Sequence, residues 1–242
     1  MTFNIHMLDN PFWWSLTTSH REIAEVCGAT YALPEVFGPF VACSGAKDGE
    51  LHDLATLLTD RTTPAIVMAR DLPRDLDFPR FTHGVQMVAQ NFTSSKDDHC
   101  VEELTADDAE EIYALAQRTR PGPFEHRTHE LGDFVGIKKD GALIAMAGQR
   151  ARLPGHTEIS AVCVDRAHRG RGYGAAVVKH MAAKICDFGD HPFPHTYADN
   201  KAAISLYEKI GFRIRTGVKL LWLDPGALRP LELTDLTHAQ AS

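Results

Sequence analysis

The sequence lacks the marks of a membrane protein and of a nucleic-acid-binding protein. None of its apolar runs approaches the length of a membrane-spanning helix, and the first residues, M-T-F-N-I-H-M-L-D-N-P, do not form a signal-peptide pattern. The formal net charge is −7, and no dense Lys/Arg patch offsets it. We therefore expect neither a membrane nor a nucleic acid as a partner.

Cysteines in a pairing pattern are also missing. The five cysteines are odd in number and widely scattered, which is typical of reduced thiols in a cytoplasm (Cys27, Cys43, Cys100, Cys163 and Cys186). Neither internal repeats nor low-complexity tracts interrupt the chain. With 44% hydrophobic and 24% charged residues among 242, the composition is that of a soluble globular protein with a substantial core.

The most informative stretch runs from Thr157 to Gly174, T-E-I-S-A-V-C-V-D-R-A-H-R-G-R-G-Y-G. Its first part is apolar and rich in β-branched residues, so it predicts a buried strand. Three glycines at alternate positions follow, and residues 175–184 have the composition of a helix. A strand, a glycine-rich turn and a helix together direct backbone N–H groups toward a phosphate.

A second pattern lies at 200–212, N-K-A-A-I-S-L-Y-E-K-I-G-F. Asn200, Ala203 and Tyr207 recur at helical spacing on one face, and Gly211 is placed to end the helix. Taken alone, Asn200 indicates a helix cap and Tyr207 a half-buried ring.

Together, R-x-x-G-x-G at 169–174 and N-x-x-A-x-x-x-Y-x-x-x-G-F resemble the GNAT superfamily of acetyl-CoA-dependent N-acetyltransferases. The resemblance covers Leu104 to Leu223. Within the superfamily, E-I-S-A-V-C followed by R-G-R-G-Y-G resembles the branch of glycine N-acyltransferase-like enzymes. One departure is Arg166, where relatives often have a proline, and it affects the rigidity of the turn more than its chemistry.

The resemblance implies an α+β fold, the GNAT acetyltransferase fold, with a mixed and mostly antiparallel central sheet flanked by helices. We place the catalytic domain at 98–242, after a polar joint at 93–99. Residues 1–97 form an α/β half that is compatible with a degenerate copy of the same fold. Neither motif occurs there, so we expect no cofactor site in it. Local spacing also predicts a helix at 19–27 in this half.

The resemblance further implies the coenzyme site. The backbone of Val162, Cys163 and Val164 would bind the acetyl carbonyl and the pantetheine amides, and Asn200 would hold the pantetheine arm. The diphosphate would lie on Arg169, Gly170, Arg171, Gly172, Tyr173, Gly174 and Ala175. Nothing basic neighbours Cys163 in the sequence, so we interpret it as a small strand residue and not as a nucleophile.

Two residues are candidates for proton transfer. Glu158 is the only acid on the central strand, and burial in an apolar run would raise its pKa toward that of a useful base. Its offset from Arg169 matches that of the base glutamate in histone-type members of the superfamily. The alternative is a solvent-facing carboxylate. Tyr207 would be the general acid toward the coenzyme sulfur.

We therefore predict an enzyme that moves an acetyl group from acetyl-CoA to a primary amine of a small molecule or amino acid, by direct attack in a ternary complex. The alternatives are a longer acyl donor, a protein amine as acceptor, and a coenzyme A-binding regulatory module without turnover. No metal is expected, because His191 and His195 flank prolines and lack a third ligand. A homodimer is left open.

Overall fold

The computed structural model describes residues 6–45, 49–70, 81–90, 92 and 100–224, so the predicted joint at 93–99 lies outside it. The α-helices of these ranges are α1 (Pro11–Thr17), α2 (Glu50–Leu58), α3 (Ala109–Thr119), α4 (Tyr173–Phe188) and α5 (Lys201–Ile210). The strands are β1 (Glu25–Cys27), β2 (Thr30–Ala32), β3 (Phe40–Cys43), β4 (Ala65–Ala69), β5 (Phe81–Ala89), β6 (Glu102–Leu104), β7 (Phe134–Lys139), β8 (Ala142–Leu153), β9 (His156–Val164), β10 (His191–Tyr197) and β11 (Phe212–Leu223). None of these helices is long and apolar enough to cross a membrane.

The chain divides into two compact units that do not follow the boundary predicted at 97/98. The first unit comprises Met1–Glu35, Pro39–His83 and Val218–Ser242, and the second comprises Val36–Gly38 and Gly84–Gly217. Strand pairing is the reason, since residues 84–86 of β5 pair with β10, and 219–223 of β11 pair with β4. Composition along the chain carries no signal for pairings between such distant segments.

The sheet of the second unit has the strand order β6-β7-β8-β9-β10-β5-β11. Strands β6 to β9 form an antiparallel meander, β10 is parallel to β9, and β5 is antiparallel to β10. The hairpin between β7 and β8 turns at Asp140 and Gly141, both left-handed (φ 51° and 78°). The sheet is mixed and mostly antiparallel, as predicted.

Helices cover both faces of this sheet. Val135, Ala145 and Ala147 pack in the cluster around Met181 of α4. The alternate residues of the same strands, such as Met146, pack in the cluster around α3. Since successive strand residues point to opposite faces, α4 and α3 lie on opposite sides of the sheet.

Strand β10 contains two prolines, which are tolerated because their nitrogens face one edge of the strand. His191 N donates to Gly155 O (2.9 Å), on the side of β9. By alternation, Pro192 and Pro194 turn their nitrogens, which carry no hydrogen, to the other edge. Pairing of that edge with β5 starts only at His195. The prolines therefore delay one pairing without breaking the strand.

The first unit repeats the same succession of elements on a smaller scale. Strands β1, β2 and β3 pair antiparallel, α2 follows, and β4 is parallel to β3. The last residues of β11 then pair antiparallel with β4, as β5 does with β10. The order β1-β2-β3-α2-β4 thus parallels β7-β8-β9-α4-β10, and the interpretation of the first unit as a degenerate copy stays a prediction.

Backbone N–H groups ahead of α2 bind the carboxylate of Glu50, a residue of α2. Gly49 (φ 87°) precedes α2 as Gly172 (φ 84°) precedes α4. The buried Glu50 carboxylate accepts hydrogen bonds from the backbone of Ser44 (2.9 Å) and Gly45 (2.8 Å), and from the Ser44 hydroxyl. These N–H groups are the ones that a phosphate would need, so Glu50 disfavours anion binding at this loop.

The helix predicted at 19–27 is wrong. Residues 25–27 form β1, and the chain turns through Gly28 (φ 51°) into β2. The Asp53 carboxylate accepts a hydrogen bond from Ala29 N (3.0 Å) and fixes this turn. A contact from 24 residues away overrides local helix spacing.

Gly148 of β8 allows a test of packing against the ring of Phe134, its partner in the register. A Cβ at Gly148 would lie 2.3 Å from two ring carbons, whereas a Cβ at Gly217 would come no closer than 3.9 Å to a neighbour. We expect Gly148→Ala to lower the free energy of unfolding by about 1–3 kcal/mol because the ring must shift. The control Gly217→Ala should change it by less than about 0.5 kcal/mol. Urea denaturation measures both, and equal effects would contradict the tight ring contact.

Candidate active site

A glycine-rich turn joins β9 to α4. The Asp165 carboxylate accepts a hydrogen bond from Ala167 N (3.1 Å) and caps a 3-10 turn at Arg166–His168. The Asp165 side chain therefore fixes the turn, although the turn begins with Arg166 and not with the proline that relatives often have. Arg169 Nε donates to the carbonyl of Val164 (3.2 Å), which ties the turn to the end of β9.

Two left-handed glycines lead the backbone from this turn into α4, Gly170 at φ 77° and Gly172 at φ 84°. A Cβ at Gly170 would meet no atom within 4 Å, so the turn is open on that side. The N–H groups of 173–175 are the first of α4 and have no acceptor inside the helix. Arg169 and Arg171 are exposed beside them. This set of donors and charges fits a diphosphate.

Strands β9 and β10 separate in the middle of the sheet. Their parallel pairing runs as far as Ile159 and Pro194, and β10 then pairs with β5 from His195 onward. Ala161 of β9 has a left-handed backbone (φ 53°) where the β8–β9 register shifts. No described strand pairs with 162–164 on the edge that faces β10. The backbone of Val162, Cys163 and Val164 is thus placed to bind amide groups of a ligand.

Cys163 does not have the properties of a nucleophile. The residue is buried, and burial raises the pKa of its thiol to about 11. The thiol is therefore protonated at neutral pH, whereas a nucleophilic cysteine acts as the thiolate. This supports the interpretation of Cys163 as a small strand residue.

Tyr207 projects from α5 into the cluster around α4, where its ring contacts Phe212 edge-on (centroids 5.9 Å apart). Burial, followed by the negative charge of Glu158, raises the pKa of its hydroxyl. The hydroxyl is therefore protonated at neutral pH, the state that a general acid requires. At the start of α5, Asn200 Oδ1 accepts a hydrogen bond from Ala203 N (3.1 Å), which confirms the predicted cap.

Glu158 is fully buried and not solvent-facing. Its carboxylate accepts hydrogen bonds from Arg150 Nε (3.0 Å), Arg150 Nη2 (2.6 Å) and Ala151 N (3.2 Å). A fourth hydrogen bond joins it to His195 Nδ1 (2.8 Å). The residues of β8 that contact it lie in a register shift, where the carboxylate takes the place of a strand partner.

The expectation of a raised pKa for Glu158 is wrong. Burial alone would raise it, but the charge of Arg150 and the hydrogen bond with His195 outweigh burial and lower it from 4.5 to about 2. The error lies in treating the strand as wholly apolar, because its neighbours contribute the Arg150 cation and two further donors, Ala151 N and His195 Nδ1. A carboxylate with so low a pKa holds a proton too weakly to serve as an efficient base at neutral pH.

Further polar side chains extend this contact across the sheet. Gln86 Nε2 lies 3.0 Å from His195 Nε2, and Arg215 Nη1 donates to Gln86 Oε1 (3.0 Å). Sequence reasoning missed Arg150, Gln86 and Arg215, and considered His195 only as a metal ligand. The sequence feature that could have revealed Gln86 is a polar residue inside an apolar strand, G-V-Q-M-V-A, because such a residue needs a buried partner.

The described residues contain no group of three His, Cys, Asp or Glu side chains placed to hold a metal.

The loop after α3 is anchored by Thr128 rather than left free in solvent. The buried Thr128 Oγ1 donates to Phe37 O (2.8 Å) and accepts from Glu125 N (2.7 Å). Arg127 N donates to Val36 O (2.9 Å), and its guanidinium is paired with Glu130. The segment Val36–Gly38 thus supports the loop, although it comes from the first part of the sequence.

Comparisons with known proteins agree with this geometry. The model of the FR47-like protein family matches residues 134–223. A structure from Novosphingobium aromaticivorans, assigned as an acetyltransferase of the GNAT family, is 34% identical over 91% of this chain and 99% of its own, with a TM-score of 0.82. A comparison with curated protein sequences finds no match.

More distant structures share the fold. A GCN5-related N-acetyltransferase from Kribbella flavida is 16% identical, covers 90% of this chain and 96% of its own, and has a TM-score of 0.63. A GCN5-related N-acetyltransferase-like protein from Streptococcus suis is 14% identical over 86% and 92%, with a TM-score of 0.57. The chain belongs to the GNAT family of acetyltransferases. The narrower resemblance to glycine N-acyltransferase-like enzymes stays a prediction.

The lowered pKa of Glu158 predicts how stability depends on pH. A group whose pKa is lower in the folded state contributes stability above its unfolded value, and loses it as the pH falls through the folded value. At pH 7 we expect Glu158→Gln to cost about 3 kcal/mol, because the buried ion pair with Arg150 is lost. The difference between the two proteins should shrink between pH 4.5 and 2. Urea denaturation across this range measures it, and a constant difference would contradict an ionised, paired Glu158.

Proposed function

We propose that the chain transfers an acetyl group from acetyl-CoA to the primary amine of a small molecule or amino acid, by direct attack in a ternary complex. The observation that carries the proposal is the end of β9–β10 pairing at Ile159 and Pro194. It leaves an open backbone edge at 162–164 that runs directly into the glycine-rich turn and α4. A thioester with a diphosphate at one end and amides in its arm matches this arrangement.

The residues present fit such a donor. Arg169, Arg171 and the backbone of 170–175 would hold the diphosphate, with the first turn of α4 directed at it. The backbone of 162–164 would hold the pantetheine amides and the acetyl carbonyl, and Asn200 would lie along the arm. Acetyl-CoA, when bound, supplies an activated acyl group.

Two residues would move or orient protons in this reaction. The Tyr207 hydroxyl would donate its proton to the coenzyme sulfur, since burial keeps it protonated. Glu158 would act on the acceptor side, where it is ionised at neutral pH. Proton donation by Tyr207, with Glu158 orienting the groups on the acceptor side, would separate an enzyme from a coenzyme A-binding regulatory module.

A thioester assay with an amine panel tests the function. The protein is mixed with acetyl-CoA or a longer acyl-CoA and with amino acids, polyamines, arylamines or a peptide with a free N-terminus. Release of coenzyme A that depends on one class of amine supports the proposal and identifies the acceptor. Tight calorimetric binding of acetyl-CoA without turnover on any amine would favour the regulatory module.

The glycine-rich turn is tested by a pair of valine substitutions at the two ends of α4. Gly172 and Gly189 flank the helix, and both are left-handed (φ 84° and 99°), so valine strains the backbone similarly at each. Only Gly172→Val places side-chain atoms where the diphosphate would lie. We expect it to abolish calorimetric binding of acetyl-CoA, while Gly189→Val keeps it. Unchanged affinity in a folded Gly172→Val protein would overturn the assignment of the turn.

Tyr207→Phe tests the general acid. Phenylalanine keeps the ring contact with Phe212, so the fold and the affinity for acetyl-CoA should hold. Without the hydroxyl, turnover should fall by about 10²- to 10⁴-fold. Steady-state kinetics and calorimetry measure the two effects. Weaker binding with turnover intact would instead show that Tyr207 is structural.

A further inference from the structure

Five polar side chains form a continuous row across the second unit, one from each of five neighbouring strands. They follow the strand order β8-β9-β10-β5-β11 and are Arg150, Glu158, His195, Gln86 and Arg215. Ile159 and Met87, the strand neighbours of two of them, pack in the cluster around α4. By alternation the row lies on the opposite face of the sheet, the face of α3.

The charged groups on either side of His195 determine the directions of its hydrogen bonds, since the Glu158 carboxylate only accepts and the Arg215 guanidinium only donates. A guanidinium only donates, so Gln86 Oε1 is the acceptor of the 3.0 Å contact and Gln86 Nε2 must be a donor. Gln86 Nε2 faces His195 Nε2 at 3.0 Å, which makes that ring nitrogen the acceptor. The ring proton is then on Nδ1, 2.8 Å from Glu158 Oε1. His195 is held as the Nδ1–H tautomer with a lone pair on Nε2.

Of the two acid–base groups in the row, only His195 is placed to meet a substrate. The Glu158 side chain has no exposed surface and its carboxylate already accepts four hydrogen bonds, whereas 6% of the His195 side chain is exposed. His195 is also the first residue of β10 beyond its last pair with β9, at the point where the two strands separate.

We propose that His195 is the catalytic base of the acetyl transfer, that Glu158 is a positioning residue that keeps the ring proton on Nδ1, and that Gln86, held by Arg215, covers the Nε2 lone pair until the acceptor replaces it. The inference rests on the proposed function. A proton leaves the ammonium nitrogen of the acceptor for His195 Nε2, and the nitrogen keeps the electron pair that attacks the acyl carbon. The ammonium is a charged donor, so it displaces the weaker neutral amide of Gln86 from Nε2. The imidazolium that forms is stabilised by the Glu158 carboxylate.

His195→Asn separates a base from a residue that merely positions Glu158. The asparagine amide nitrogen takes the place of Nδ1 and still donates to Glu158, but no lone pair remains at the position of Nε2. We expect turnover with the best amine of the panel to fall by about 10²- to 10⁴-fold, with affinity for acetyl-CoA unchanged. The remaining rate should rise with pH toward the pKa of an alkyl ammonium, about 10, as free amine replaces the base. Turnover within a few-fold of wild type would overturn the proposal.

The tautomer is tested without any turnover. Long-range ¹H–¹⁵N NMR spectra of the wild-type protein, with His195 assigned through His195→Asn, should show a protonated Nδ1 and an unprotonated Nε2. In Gln86→Met, which retains the side-chain length but neither the donor nor the acceptor, the Glu158 carboxylate still accepts from Nδ1–H, so the same tautomer should persist. A wild-type ring with its proton on Nε2 would overturn the proposal.

The two failures are distinguishable. If no amine is acetylated by the wild-type protein, the proposed function fails while the tautomer measurement can still succeed. If the wild-type protein acetylates an amine and His195→Asn does so equally well, the function stands and the role of His195 fails. The groups that face His195 in either test are Glu158, Gln86 and Phe193, with Arg150 behind Glu158 and Arg215 behind Gln86.

Discussion

A buried carboxylate has to be paired, and in the second unit that requirement organises the centre of the sheet. Glu158 occupies a position with no exposed surface, so the chain supplies Arg150, the Ala151 N–H and His195 around it. Leaving it unpaired would cost several kcal/mol, a large part of the stability of a typical domain. The register shift in β8 leaves Ala151 N to donate to this carboxylate. The same requirement for hydrogen-bond partners extends along the sheet, where His195 is hydrogen-bonded to Gln86 and Gln86 to Arg215.

The two units show what a glycine-rich turn needs before it can bind an anion. Both have a strand, a loop that ends in a left-handed glycine, and a helix leading to a parallel strand. In the first unit the Glu50 carboxylate sits on the loop N–H groups. In the second unit the turn is ordered instead by Asp165 at its start and by Arg169 on a strand carbonyl. The N–H groups at the start of α4 therefore remain for a ligand. The two units differ in which N–H groups their acidic residue accepts from, Glu50 in the first unit and Asp165 in the second.

The sequence predicted most of what depends on local order. The strand, turn and helix from Thr157 onward and the cap at Asn200 were accessible because each follows from neighbouring residues. The mixed sheet was implied by the resemblance to the GNAT superfamily. The pairings that cross the sheet were not. The pKa of Glu158 depends on Arg150 and on a histidine 37 residues away, and the division into units depends on pairings of β5 and β11. The apolar residues that follow Glu158 in the sequence predicted a raised pKa, which is the wrong direction. The sequence of one strand does not reveal which polar groups of neighbouring strands face it.

Glu158 also couples the two proton-transfer groups of the proposed reaction. Its negative charge, after burial, contributes to the raised pKa of Tyr207, so while His195 is neutral the tyrosine holds its proton firmly. When His195 accepts a proton from the acceptor, the imidazolium lies 2.8 Å from Glu158 Oε1 and offsets much of that charge. The field that held the proton on Tyr207 then weakens, and the hydroxyl becomes a better acid. Deprotonation of the amine would thus favour the proton donation that the departing sulfur needs, in the order that the chemistry requires. A single buried carboxylate, too acidic to take the proton itself, would link both ends of the reaction.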